Sequence, residues 1–348
     1  MAVSAPSTIC LLRLSALGDV CNTVPLARAL QRSWPEAKLT WIIGKAEHRL
    51  VQALPDIEFI VFDKRGGWPA WRTLLRELRG RRFDLLIHAQ VSARSNLLAG
   101  CVRARRRLGF DRPRAREGHG LVINERIPAM SFQHQAEALL SFADHLGVET
   151  KGIDRALPVS EPALAFARRH QPLPRSAVLI SPASSHSLRN WHADGYAEVA
   201  DWVVQSTGRP VILVGGPSDG ERALGAEIQE RTRSPVTNLI GQDTLEQALA
   251  MLQRSACLIT PDAGPAHFAA AMGTPVVGLY AATWSRRSGP LGSLQHCVDR
   301  YEEAAQKFLG KRAEELRWGR RLEFPGVMDL IGADQVIDRL QRLLVRLG

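Results

Sequence analysis

Short apolar runs, each followed by a stretch of helical period, recur along the whole chain, and this alternation leaves few architectures open. Strand-helix alternation points to α/β construction around parallel sheets, because a parallel strand must be reached by a crossover helix. In the first half, strands are expected at Ile9–Leu14, Lys38–Ile43, Phe59–Phe62, Asp84–His88 and Arg107–Gly109. Helical stretches such as Val24–Ser33 and Trp71–Gly80 lie between them, and Gln133–Leu146 closes the half. The proline-containing stretch Thr150–Arg175 reads as a linker carrying one short helix. A fresh series then begins, with strands at Ala177–Ile180, Pro210–Val214, Asn238–Leu239, Ala256–Thr260 and Pro275–Tyr280. Its helices are expected at Ala193–Ser206, Gly220–Arg231 and Leu245–Arg254. Thr244 followed by Gln247 is a capping-box pattern for the last. With 348 residues the chain exceeds one ordinary core, so two tandem α/β domains are expected, over 1–160 and 161–330. Over 331–348 an amphipathic helix follows, with Val336, Leu340, Leu343, Leu344 and Leu347 on one face for packing against the body.

No apolar run approaches the roughly 20 residues of a bilayer-spanning helix. The N-terminus lacks a basic region before its apolar stretch, and Arg13 interrupts that stretch early, so it reads as a first strand and not a signal peptide. The five cysteines, Cys10, Cys21, Cys101, Cys257 and Cys297, are odd in number and form no C-x-x-C pair. Buried reduced thiols explain them better than disulfides or zinc.

Charge is divided unevenly. Residues 1–160 hold 24 Lys and Arg against 15 Asp and Glu, a net of +9, whereas residues 161–348 hold 21 against 20, a net of +1. Such asymmetry suggests an anionic partner for the first half: nucleic acid, a phospholipid surface or a phosphorylated substrate. Aromatic interleaving and known nucleic-acid motifs are absent, which disfavours the first.

Three strand-to-helix junctions carry chemistry, since ligands of open α/β sheets bind at the carboxyl ends of strands. After the first strand comes Arg13-Leu14-Ser15-Ala16-Leu17-Gly18-Asp19-Val20. Gly18 would let the backbone turn closely. Asp19, at the helix start, would be held ionised by the free amides, with plain N-capping as the alternative. After the first strand of the second half, Ser184 and Ser185 offer hydroxyls and Arg189 a guanidinium, a combination suited to a diphosphate. The third junction is Thr260-Pro261-Asp262-Ala263-Gly264-Pro265-Ala266-His267. Pro265 marks a first helical turn whose amides make an anion site, Gly264 permits close approach, and His267 can add a donor, with a structural histidine as the alternative. Asp219, after Gly215-Gly216-Pro217-Ser218, could accept from a ribose hydroxyl or merely form a turn. Neither a full G-x-G-x-x-G nor a P-loop is present, which disfavours a nicotinamide enzyme or P-loop chemistry. No Asp-x-Asp pair or metal-spaced cluster occurs, so no metal is expected.

Together these segments resemble glycosyltransferase family 9, the heptosyltransferases of lipopolysaccharide core assembly, in pattern most like the transferases of the first heptose. The matching pieces are R-L-S-A-L-G-D-V, A-S-S-H-S-L-R-N-W, G-G-P-S-D and P-D-A-G-P-A-H-F-A-A-A-M-G-T-P, in order. The resemblance implies a GT-B fold, two Rossmann-like domains facing across a cleft, the first binding the acceptor and the second the nucleotide sugar. It implies inverting, metal-independent transfer of heptose from ADP-L-glycero-D-manno-heptose to Kdo-lipid A or inner-core lipopolysaccharide, without a cofactor. A later core heptose, or a different sugar, is the alternative. It also implies peripheral attachment at the cytoplasmic face of the inner membrane. Asp19 falls at the family's catalytic base. Ser184, Ser185, Arg189, Asp219, Asp262, Gly264 and His267 fall at donor contacts, with Ala263 where many relatives carry a hydroxyl residue. Gly18 and the cations Lys64, Arg65, Arg72, Arg112, Arg114 and Arg116 are acceptor-side candidates, of which Arg116 fits the family's pattern best.

Overall fold

The computed structural model describes residues 5–347, which divide into two compact units between Pro158 and Val159. In the first unit the strands are β1 (Thr8–Leu12), β2 (Lys38–Gly44), β3 (Ile57–Phe62), β4 (Phe83–His88), β5 (Ala104–Gly109) and β6 (Glu125–Arg126). Its helices are α1 (Leu17–Ser33), α2 (Lys45–Val51), α3 (Gly67–Leu78), α4 (Ala93–Cys101) and α5 (Gln135–His145). Every strand pair is parallel, in the order β3-β2-β1-β4-β5-β6. The central strand β1 is buried from Ile9 to Leu12, as a parallel strand covered on both faces must be.

The second unit repeats the construction. Helix α6 (Glu161–His170) leads into β7 (Val178–Ile180), α7 (Ala193–Thr207), β8 (Val211–Leu213), α8 (Asp219–Arg231), β9 (Val236–Asn238) and α9 (Leu245–Arg254). Then follow β10 (Cys257–Pro261), α10 (Gly264–Ala271), β11 (Val276–Tyr280), α11 (Ser285–Ser288), β12 (Val298–Asp299), α12 (Tyr301–Leu309) and α13 (Ala333–Leu347). The sheet is again parallel, ordered β12-β11-β10-β7-β8-β9. Val336, Leu340, Leu343 and Leu344 of α13 join one core cluster with Val178, Ile180 and Trp191, so the helix buries most of its apolar stripe on its own unit. Leu347, expected on that face, is 39% exposed at the helix end. Thr244 caps α9 as its pattern indicates: Oγ1 accepts from Gln247 N at 3.3 Å and Thr244 N donates to Gln247 Oε1 at 2.8 Å.

Several boundaries differ from expectation. Helix α1 begins at Leu17 instead of Val24, which moves Asp19 inside its first turn. The pair-length strands β6 and β12 and the short helices α2 and α4 have too few residues to show a period. All five thiols are free, and only Cys101 is less than buried.

Trp191 ties the second core together: it is 1% exposed, packs edge-on to Tyr196 and donates from Nε1 to the Ile331 carbonyl at 3.0 Å. Trp191→Ala is expected to cost about 3–5 kcal/mol in chemical denaturation, by cavity formation and a lost hydrogen bond.

Candidate active site

In both sheets the strand order reverses once. In the first unit the chain runs from β1 outward to β2 and β3, then returns to β4 on the other side of β1. In the second it runs from β7 to β8 and β9, then returns to β10. Loops leaving the carboxyl ends of two such strands diverge, and the gap is where an α/β sheet takes its ligand.

The first gap holds the segment 13–16 and Asp19. Leu14 N donates to Gln90 Oε1 at 2.7 Å, and the Arg13 Nη1 donates to the Ala89 carbonyl at 2.5 Å, which secures the segment to the end of β4. On the β2 side, Trp41 Nε1 donates to the Arg13 carbonyl at 3.2 Å and Gly44 N to the Leu14 carbonyl at 3.1 Å. Gly44 is required there, since a Cβ would stand 2.4 Å from that carbonyl oxygen. The peptide bond between Ser15 and Ala16 is cis.

Asp19 is the third residue of α1. Its Oδ2 accepts from Ala16 N at 3.2 Å and pairs with the guanidinium of Arg13, while Gln135 Nε2 donates to Oδ1. Capping and candidate chemistry therefore coexist in one carboxylate. Arg13 is 9% exposed, and its Nε has no hydrogen-bond partner among the described residues. Gly18 is buried within the same helical turn and does not form a loop, which removes the role of a tight turn expected for it.

The cations of the first unit divide into paired and open groups. Lys64 pairs with the buried Glu47 at 2.6 Å, and Arg114 with Asp111 at 2.5 Å, so both serve first to hold their loops. Arg65, Arg72, Arg112 and Arg116 are exposed. The loop carrying Arg116 is anchored from beneath by a buried polar network that the sequence did not disclose. Phe110 N donates to His119 Nε2 at 3.0 Å, so the proton of that ring sits on Nδ1, 3.1 Å from Asn96 Oδ1. His88 Nε2 meets the same oxygen at 2.9 Å. Asn96 Nδ2 in turn donates to the carbonyls of Arg116 and Glu117, at 3.2 and 2.7 Å.

In the second unit, the gap between β7 and β10 brings Arg189 and Asp262 together. Arg189 is 7% exposed and ends a single 3₁₀ turn, Ser187–Arg189. Its Nη2 donates to Ser185 Oγ at 2.9 Å, and its Nη1 lies 3.8 Å from Asp262 Oδ2. A residue missed by sequence reasoning, Glu323, brings Oε1 to 3.3 Å from Arg189 Nε, although neither atom has a properly angled hydrogen bond. No motif surrounds Glu323, and only the fold reveals it. Ser184 is turned into its own loop: Oγ donates to the His186 carbonyl at 2.8 Å and accepts from His186 N at 3.2 Å.

Helix α10 starts with Ala263 as an N-cap that has no side-chain bond to offer. Pro265 lacks an N–H, and Ala266 N donates to the Ala263 carbonyl at 3.1 Å, so Gly264 carries the uncapped amide of this turn. The anion site is thus narrower than the sequence suggests. His267 is half-buried one turn into the helix.

Asp219 is exposed at the first position of α8, whereas Glu221, two residues on, is turned inward. The carboxylate of Glu221 accepts from Gly216 N and from Ser218 Oγ, the latter at 3.1 Å. Burial pushes nearby Asp243 up to about 6, and Glu221 adds to the rise. A Ser-x-x-Glu capping box was the available signal for Glu221. Among the described residues no group of three or more His, Cys, Asp or Glu could hold a metal ion.

Comparison with known proteins shows the family. The family model described as glycosyltransferase family 9 (heptosyltransferase) matches residues 71–318. The lipopolysaccharide core heptosyltransferase OpsX of Haemophilus influenzae is 34% identical over 339 residues, covering 97% of each chain. A crystal structure of a family 9 glycosyl transferase from Veillonella parvula superposes with a TM-score of 0.79 at 22% identity, covering 99% of each chain. The Escherichia coli heptosyltransferase WaaC with ADP-2-deoxy-2-fluoro heptose gives a TM-score of 0.69 at 18% identity, over 96% of this chain and 99% of that one.

The histidine pair makes a prediction about pH. Burial is the main cause that lowers His88 to about 3 and His119 to about 4, so the folded state holds both rings neutral. Unfolding lets them take up protons near their ordinary value of 6.5, so this contribution is complete above that pH and is lost as pH falls toward 4. Denaturation midpoints should fall between pH 7 and 5, and His119→Gln should flatten the slope by up to about 1.4 kcal/mol per pH unit.

Proposed function

The chain belongs to glycosyltransferase family 9 and is a glycosyltransferase that moves heptose in lipopolysaccharide core synthesis, and from that premise we propose that it takes heptose from ADP-L-glycero-D-manno-heptose and attaches it to Kdo-lipid A or the growing inner core. The observation that carries this reading is the pair of switch-point sites. One presents a carboxylate braced by a guanidinium and an amide; the other presents a buried guanidinium beside an uncapped helix start.

In the proposed reaction the first unit binds the acceptor and the second the nucleotide sugar. Asp19 takes the proton of the acceptor hydroxyl as that oxygen attacks the anomeric carbon. The bond from that carbon to the β-phosphate oxygen breaks on the opposite face, and its electron pair leaves with ADP. The configuration is therefore inverted. Because Arg13 and Ala16 both engage Oδ2, Oδ1 is the oxygen with a lone pair left for the proton. Arg189 and the Gly264 amide supply the charge stabilisation that a departing diphosphate requires, so the step needs no metal or cofactor. Before donor arrives, the Arg189 guanidinium is balanced by Glu323 and Asp262; a diphosphate would displace these weak contacts. Ser185 orients Arg189, the exposed Asp219 accepts from a ribose hydroxyl while Glu221 holds the preceding turn, and His267 assists at the phosphates. Ala263 offers only its backbone. Arg65, Arg116 and Lys64 would meet the phosphates and carboxylates of the acceptor. We further propose that the enzyme works peripherally at the cytoplasmic face of the inner membrane. Among the described residues no helix is long and apolar enough to cross a bilayer.

Asp19→Asn should lower kcat by about 10²–10⁴-fold, with ADP affinity by calorimetry unchanged. A variant of wild-type activity would remove Asp19 from the mechanism. Arg189→Ala should raise KM for the donor and weaken ADP binding by about tenfold or more, in line with loss of a charge-assisted contact of about 1.5–3 kcal/mol.

A further inference from the structure

Helix α3 has two faces of different character. Leu74 and Leu78 are buried against the sheet, and Trp71 packs edge-on to Phe62 with centroids 5.4 Å apart. The other face carries Trp68, Arg72, Leu75 and Arg76, at spacings i, i+4, i+7 and i+8, with Arg79 following at the C-cap. Trp68 is 68% exposed and Leu75 43%. Arg72, Arg76 and Arg79 are exposed, and their side chains take part in no hydrogen bond or ion pair among the described residues. Glu77, the helix's own acid, lies off this stripe and 3.9 Å from Arg81.

An aromatic ring and a leucine set among unpaired guanidiniums, with no acid between them, is the composition of a helix that lies in a lipid headgroup layer. Indole and leucine enter the acyl boundary, and arginines stay with the phosphates. Charge complementarity selects the partner: the unit bearing this helix has 24 Lys and Arg against 15 Asp and Glu. We propose that the exposed face of α3 is the docking surface of this protein on an anionic bilayer. This rests on the reading of a lipid-borne acceptor, and it names the side chains that meet the lipid. Lys64 and Arg65 immediately precede α3, so docking through Trp68 would bring the acceptor-side cations to the depth of a membrane-anchored saccharide.

The test is co-sedimentation of the full chain with vesicles of phosphatidylglycerol and phosphatidylethanolamine, against vesicles of phosphatidylcholine alone, at low and high salt. Wild type should partition onto the anionic vesicles at low salt only. Arg76→Gln with Arg79→Gln should lower the partition coefficient roughly thirtyfold, and Trp68→Ser with Leu75→Ser about tenfold or more. Both double variants should keep the wild-type thermal midpoint and wild-type kcat/KM on a deacylated, water-soluble acceptor. Vesicle binding that both double variants retain would overturn the proposal, as would wild type that ignores anionic vesicles. Self-association in analytical ultracentrifugation that Trp68→Ser abolishes would assign the face to a second copy and likewise overturn it. Failure of wild type to glycosylate even the soluble acceptor would instead refute the acceptor reading, since vesicle binding is measured without turnover.

Discussion

Everything functional in this chain depends on a topological constraint: a parallel sheet wound outward in both directions from one strand must leave a gap where the winding reverses. Each unit has one such reversal, beside β1 in the first and beside β7 in the second. The residues with the most specific chemistry fall at those gaps because there the loops diverge and backbone groups stay unpaired. Helix starts at the same edge add partial positive charge, which draws carboxylates and phosphates. The two sites use this differently. At α1 the chain supplies its own carboxylate, Asp19; at α10 the capping position is occupied by Ala263, which leaves the first turn open to a ligand.

Around both sites, preorganisation is achieved by long-range polar contacts more than by local sequence. Gln90 and Ala89 fix the segment after β1 from a strand more than seventy residues away. Asn96, with one oxygen shared by two neutral imidazoles and its amide spent on two carbonyls, gives the Arg116 loop a rigid floor. Low dielectric strengthens such networks and makes any unsatisfied member costly, so each holds one geometry. Arg189 shows the complementary case: a buried cation whose Nε lacks a well-aligned acceptor, balanced loosely by Glu323 and Asp262.

This division explains what could be read from the sequence. Strand-helix alternation disclosed the α/β class, the central strands, the bounds of α9 and the apolar face of α13, because period and capping residues are local signals. The junctions after β1, β7 and β10 were legible because glycine, proline and polar residues interrupt apolar runs there. The roles of Gln135, Asn96 and Glu323 were not legible, since each acts on a residue distant in the chain or lies in a segment without a motif. Arg13, though inside the first motif, meets Asp19 only through the fold of the segment between them. Gly18 misled for a related reason: glycine before an aspartate suggests a turn, yet tertiary packing extends α1 back through it. Glu221 belongs to a Ser-x-x-Glu capping box, a local pattern that the sequence displays, and its inward turn places it beside Gly216 while Asp219 stays exposed.

The central claim is that a carboxylate-activated alcohol and a stabilised diphosphate meet in one heptosyl transfer. Mass spectrometry of the products formed from ADP-L-glycero-D-manno-heptose and Kdo₂-lipid A measures it most directly. The account predicts a lipid product heavier by one heptose residue, with ADP released in equal amount. Release of ADP without a heavier lipid, or an unchanged donor in the presence of that acceptor, would contradict it.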